Sequence, residues 1–364
     1  MQYVDEFRRP EPVRRLLAQI ASRSRTRARL MEFCGGHTHA ILKFGLRQLL
    51  PPTVQLLSGP GCPVCVTAQS DLDRAIALAR QDGVILTTFG DMVRVPGSRG
   101  TLQEARARGA DVRIVYSTLD ALALARANPG RQVVFLAVGF ETTAPTVAAA
   151  VLAARAEQLA NFSVLCLHKL TPPAMQAILE AGEVELSGII GPGHVTTVIG
   201  ARAWEFLPGR YRISCAVAGF EPLDILRAVY ALVDRIESGD PAVCNTYSRS
   251  VRPGGNETAL RKMGEVFRVG EAQWRGLGSV PASGLRLRKE LAAFDAAARF
   301  AIPVEPTAGP KGCRCGEVLR GVLEPPGCPL FGKACTPETP VGPCMVSGEG
   351  ACGAYLQFAD WRAT

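Results

Sequence analysis

The chain has 364 residues, 47% of them hydrophobic and 20% charged, with twelve cysteines and a formal net charge of +8. This balance describes a globular protein of two or three domains and excludes a disordered chain. The positive charge is spread along helical stretches, with no basic stripe interleaved with aromatics; that argues against nucleic acid and reads as the solvated faces of an Arg-rich protein, though an acidic protein partner would also suit it.

Residues 1–30 are basic, but Asp5, Glu6 and Glu11 interrupt them and no apolar core of a secretory signal is present. Pro12 followed by Val13, Leu16, Leu17 and Ile20 predicts an amphipathic helix. The longest apolar stretches, 133–140 and 148–154, are too short to span a bilayer. Twelve cysteines in such a chain point to metal or redox chemistry in the cytoplasm rather than to a disulfide scaffold.

From about residue 29 to 221, short apolar runs end in Gly-rich turns and lead into helical stretches. Strands are predicted at 30–33, 54–57, 84–89, 112–116, 133–138, 164–167, 188–190 and 213–217. These runs are continuous rather than alternating, which suits parallel strands buried on both faces. Helices are predicted at 71–81, 119–127, 145–159 and 172–181, giving repeated βαβ units. Gly59-Pro60-Gly61 is echoed by Gly191-Pro192-Gly193, and Gly139-Phe140-Glu141 by Gly219-Phe220-Glu221. The predicted fold is α/β, with two similar parallel-sheet βαβ domains, 28–128 and 129–242, facing a cleft. Residues 1–27 and 243–364 form a third, irregular and helical unit.

The strand tips carry the chemistry. They read Cys34-Gly35-Gly36-His37-Thr38-His39, Gly59-Pro60-Gly61-Cys62-Pro63-Val64-Cys65, Phe89-Gly90-Asp91, Gly139-Phe140-Glu141-Thr142-Thr143, His168-Lys169-Leu170-Thr171-Pro172 and Gly191-Pro192-Gly193-His194-Val195-Thr196. In open parallel sheets the ligand crevice lies at these carboxyl ends. Cys62 and Cys65 form a Cys-x-x-Cys pair where a helix starts, a position that lowers a thiol pKa. Such a pair can cycle between dithiol and disulfide, supply two metal thiolates, or simply be buried. Cys34, with His37 and His39 close behind, suits a mononuclear iron or zinc site or an activated nucleophile. The plain alternative is a core cysteine beside two surface histidines. All four histidines of the chain sit in these turns. His168, His194, Asp91 and Glu141 are weaker candidates that could instead cap helices or bind backbone amides. Cys166, Cys215 and Cys244 read as packed thiols.

The remaining six cysteines, Cys313, Cys315, Cys328, Cys335, Cys344 and Cys352, crowd into a Gly- and Pro-rich tail. A segment with so little core needs a covalent or metallic staple. Thiolates select zinc, copper(I) or iron–sulfur clusters. No pair of tight Cys-x-x-Cys knuckles occurs, which argues against a zinc ribbon and for a cluster held by four of the six. Composition leaves open which four.

Together, the blocks at 32–39, 59–65, 88–96, 139–146 and 191–196 and the cysteine-rich tail resemble the HypD family of hydrogenase maturation factors, over about residues 5–358. The resemblance implies a scaffold that binds iron and assembles the Fe(CN)2CO unit of [NiFe]-hydrogenase, with two α/β domains around a cleft and a [4Fe–4S] cluster in the C-terminal region. It implies a HypC-type small chaperone that supplies a cysteine, a HypE-type cyanide donor and, indirectly, the hydrogenase large subunit. The family's cluster spacing falls here on Cys313, Cys328, Cys335 and Cys352, leaving Cys315 and Cys344 as extra thiols. On this resemblance Cys34 holds the iron of the nascent unit. Cys62 and Cys65 pass electrons to it, fed by the cluster, and His37 ligates, orients or moves protons. The rival reading is an iron–sulfur dithiol electron-transfer protein with no assembly role; it uses the tail and the Cys62/Cys65 pair but leaves Cys34 and His37 unexplained.

Overall fold

The apolar runs of the sequence become two parallel sheets. The computed structural model describes residues 5–304 and 309–359. In the first sheet the order is β2 (Val54–Ser58), β1 (Ala28–Glu32), β7 (Gly188–Pro192), β8 (Ser214–Ala218) and β9 (Val243–Asn245). In the second it is β4 (Asp111–Ile114), β3 (Val84–Thr88), β5 (Gln132–Ala137) and β6 (Phe162–Cys166). Every ladder in both sheets is parallel. Strands β3, β6, β7 and β8 are buried along their whole length, which is why their sequences do not alternate.

All eight predicted strands are present, but the sheets do not follow the division at residue 128. After β2 the chain leaves the first sheet, builds the four strands of the second, and returns to place β7 beside β1. Leu30 stands opposite Gly188 in that ladder. A Cβ on Gly188 would lie 3.0 Å from Leu30 and 3.2 Å from Leu232, so glycine there lets β7 fit beside β1 under the helix Pro222–Ser238. The Gly-Pro-Gly echo therefore falls within one sheet, after β2 and in β7, and does not mark two copies of a domain.

The third unit is also redistributed. The helix Pro10–Arg23 packs on the helix Pro222–Ser238, with Ile20 buried among Ile225, Val229 and Leu232. Arg23 pairs with Asp234 at 2.9 Å, and Glu237 accepts from the Arg25 and Thr26 amides at 2.7 Å. The N-terminal helix thus covers the first sheet and does not join the tail. Strand β9 extends the same sheet. Residues 267–287, expected to be irregular, form an antiparallel hairpin of β10 (Phe267–Trp274) and β11 (Gly278–Leu287) with a register shift between Gly270 and Ala272. That shift breaks the period-two alternation by which a strand is read from sequence. The segments 1–4, 305–308 and 360–364 of the expected third unit lie outside the described residues.

One continuous apolar core joins the sheets: Met31, Leu57, Ile189 and Val217 of the first share it with Leu86, Val134 and Leu165 of the second. The two sets of strand tips are thereby fixed relative to one another. Among the described residues no helix is long and apolar enough to cross a membrane.

Candidate thiol and metal centre

Strand β1 ends at Glu32 and delivers Cys34, whose extended backbone (φ −150°, ψ 123°) caps the helix Gly35–Lys43. Strand β2 ends at Ser58 and delivers Gly59-Pro60-Gly61 and then Cys62, which caps the helix Pro63–Val66. The two turns interlock. The Gly59 amide donates to Glu32 O at 2.9 Å, and the Gly35 amide donates to Gly61 O at 3.0 Å. A Cβ on Gly61 would lie 2.6 Å from the Cys34 carbonyl carbon, so only glycine permits this approach. The Gly-Pro-Gly segment therefore brings the two cysteine motifs together.

Cys62 and Cys65 are joined as a disulfide, with Cα atoms 5.2 Å apart, and both are buried. The Cys65 amide donates to Cys62 Sγ at 3.3 Å. Cys34 is a half-buried free thiol. Burial pushes its pKa up to about 12, and the Glu349 and Glu32 carboxylates add to the shift against hydrogen bonds from the Gly36 and His37 amides. Burial of this kind disfavours the thiolate that an activated nucleophile needs. A thiol in this state is deprotonated by binding a metal ion.

Glu32 escaped the sequence reading. It is fully buried, accepts the Cys34 amide at 2.9 Å and the Thr38 hydroxyl, and is pushed up to about 7 by burial. The available signal was a lone carboxylate closing an apolar strand two residues before the cysteine.

His37 is buried, and its Nε2 lies 2.9 Å from Gly219 O and 3.3 Å from Ala218 O. Carbonyl oxygens only accept, so this nitrogen carries the proton. Burial lowers the ring's pKa to about 4 and keeps it neutral. Nδ1 is then a bare acceptor, and it is buried without a hydrogen-bond partner. The ring stacks on Phe220 at 4.7 Å, and the exposed His194 stacks on the same phenyl at 3.9 Å. These residues meet because β1, β7 and β8 are neighbours. His39 faces elsewhere: its Nδ1 lies 3.2 Å from Gly348 O, and its ring meets Phe358 edge-on, fastening the tail.

His168 and Glu141 find their partners on the second sheet's side. His168 Nε2 meets Thr143 Oγ1 at 3.0 Å and its Nδ1 lies 3.5 Å from Cys166 Sγ; burial lowers it to about 3. Glu141 accepts the Thr171 amide at 2.8 Å and its hydroxyl at 2.9 Å, at the start of the helix Thr171–Ala181, and burial pushes it up to about 7. Asp91 lies close enough to Glu349 for their charges to interact, which places it toward the Cys34 rim.

All six tail cysteines line one small cavity with Leu330, Phe331, Gly342 and Met345. Cys315 hydrogen-bonds with both Cys313 and Cys344, and Cys344 also with Cys352. These contacts hold Cys315 toward the thiolate, with Cys313 and Cys344 pushed up as donors. Cys335 Sγ accepts the Val341 amide at 3.3 Å. Among the described residues, no three His, Cys, Asp or Glu side chains are grouped to hold a single metal ion. The tail also adjoins the disulfide: Cys65 Sγ lies 3.9 Å from Pro343 O, next to Cys344.

Comparison with known proteins agrees with the motif reading. The HypD family model, described as the hydrogenase formation hypA family, matches residues 11–359. The hydrogenase maturation factor HypD of Azotobacter vinelandii is 50% identical over 371 residues, covering 100% of this chain and 98% of its own. HypD of Cupriavidus necator is 46% identical over 372 residues, covering 100% and 98%. HypD of Escherichia coli K12 is 45% identical over 366 residues, covering 98% of each.

Proposed function

The chain belongs to the HypD family of hydrogenase maturation factors, and from that premise we propose that it binds iron at Cys34 and is the scaffold on which the Fe(CN)2CO unit of [NiFe]-hydrogenase is assembled. The observation that carries this reading is the interlock at Gly61, which holds the turn of the free thiol Cys34 against the turn of the Cys62–Cys65 disulfide. Cyanide and carbon monoxide bind a reduced, soft-ligated iron best, away from water and oxygen. Cys34 is the soft donor, open on one side to a second thiolate from a HypC-type chaperone. The bare Nδ1 of His37 is an unused lone pair, available to ligate the iron or to accept from a donor group of a partner. A HypE-type protein donates cyanide, and the hydrogenase large subunit receives the product. On this reading the chaperone and the cyanide donor are other maturation proteins, and assembly takes place in the cytoplasm.

The tail fits a [4Fe–4S] cluster by its donor chemistry: six thiols around one cavity in a segment with little other core. Cys313, Cys328, Cys335 and Cys352 would hold it. When bound, such a cluster supplies one-electron reduction. Cys62 and Cys65 then store or release an electron pair as disulfide or dithiol. The plain electron-transfer reading shares these parts but gives Cys34 and His37 no task. Cys34→Ala separates the two: the unit fails to form while the tail keeps its iron. A unit that still forms on this variant refutes the assignment.

A further inference from the structure

The nearer carbonyl that holds His37 lies just past the end of a strand. Ala218 O, 3.3 Å from Nε2, belongs to the last ladder pair of β8 with β7. Gly219 O, at 2.9 Å, lies one residue beyond that pair, where no ladder holds it. Its place is set by the turn 219–221, and this turn rests on a buried carboxylate. Asp224 is completely buried, and a Cβ on Gly219 would lie 2.7 Å from its Cγ. The same carboxylate accepts the Glu221 amide at 3.4 Å, as part of the capping box that opens the helix Pro222–Ser238. Arg249 grips it at two points, donating from Nη1 to Oδ1 at 2.8 Å and from Nη2 to Oδ2 at 2.5 Å.

The guanidinium is fixed in turn. It lies 4.5 Å from the centre of the Tyr247 ring and 4.1 Å from that of Phe7. Tyr247 meets Phe220 edge-on at 6.3 Å, and Thr246 before it donates to Val217 O through both amide and hydroxyl. Phe220, the ring on which His37 stacks, sits in a slot kept by two glycines: a Cβ on Gly36 would lie 3.1 Å from it and one on Gly193 3.2 Å. A helix cap needs no arginine. A buried ion pair is also weak evidence of added stability, because apolar residues of like volume often serve as well. What this pair supplies is a fixed place for the turn. We infer that Asp224 and Arg249 are positioning residues for His37: they hold the Gly219–Phe220 turn, whose carbonyl keeps the proton on Nε2 and whose phenyl sets the ring plane, and so leave Nδ1 free. The inference rests on the reading above, in which that lone pair serves the iron or a partner.

The test uses the full chain with 15N-labelled histidines, purified anaerobically with its tail iron. The ring-nitrogen resonances of a histidine tell which nitrogen carries the proton, and the set lost in H37A is that of His37. Wild type gives the Nε2–H form alone, with a slowly exchanging proton. D224N keeps an acceptor for the Glu221 amide but loses the two-point grip, and R249K keeps the charge but cannot bridge both oxygens. D224N shows a share of the Nδ1–H form and a faster-exchanging Nε2 proton. It also binds iron at Cys34 on the order of ten-fold more weakly, the scale on which outer partners of a metal site act. R249K falls between D224N and wild type in both readouts, and carries the test if D224N fails to fold. His37 resonances that stay as in wild type in both variants overturn the inference, as do altered resonances with iron binding at Cys34 unchanged. H37A that binds iron at Cys34 as tightly as wild type and still forms the Fe(CN)2CO unit overturns the underlying reading of His37, and is recognised without either variant.

Discussion

Gly61 lies against the backbone of Cys34, and this contact joins the two cysteine motifs. A methyl group there has no space: it would meet the amide, Cα and carbonyl carbon of Cys34 together. Gly61→Ala should cost on the order of 1–3 kcal/mol, as overpacking in a tight interior does. Chemical denaturation checks the magnitude. The account also expects Gly61→Ala to lower binding of iron at Cys34 while leaving the tail iron unchanged, because the tail cysteines are fixed by other contacts.

Glu141 gives a pH test away from the metal-binding residues. Burial raises its pKa from 4.5 to about 7 despite two hydrogen bonds from Thr171. The folded state therefore holds the proton more tightly than the unfolded chain. The contribution of this group is fully favourable below pH 4.5 and is lost as pH rises through 7. Its span is up to about 3 kcal/mol for a shift of this size. Glu141→Gln should flatten this part of the curve, so the variant gains stability relative to wild type between pH 4.5 and 7. Unfolding curves of the two proteins at several pH values check it, and parallel curves would contradict it.

The strands and motif tips were legible because buried parallel strands write continuous apolar runs and their carboxyl ends carry the polar residues. Pairing was not legible: nothing in 28–32 states that its neighbour is 188–192, because the fit depends on Gly188 being small under Leu232. The hairpin was hidden by its bulge, and β9 by its length of three residues. Cys34, His37, Cys62 and Cys65 were singled out from their types and spacing, and the structure brings the turns of Cys34 and Cys62 together. Glu32 was missed because an acidic residue in a strand reads as an edge or surface position until its buried partners are known.

The tail makes a separable prediction. Serine substitutions at Cys313, Cys328, Cys335 and Cys352 should each deplete the tail iron, whereas Cys315→Ser and Cys344→Ser should retain it. Cys315 and Cys344 hydrogen-bond to each other within the thiol chain, and Cys344 follows the Pro343 carbonyl that adjoins Cys65. Iron content per chain after anaerobic purification decides it. Loss of iron in Cys315→Ser together with retention in Cys313→Ser would exchange their roles.

The most direct test of the central claim is an infrared spectrum of the anaerobically purified protein, isolated with its small chaperone. Iron-bound cyanide and carbonyl stretches have no counterpart among protein vibrations. The account predicts these bands in wild type and their loss in Cys34→Ala with the tail iron intact. Bands that persist in Cys34→Ala, or a silent wild-type spectrum from a sample with full tail iron and bound chaperone, would contradict it.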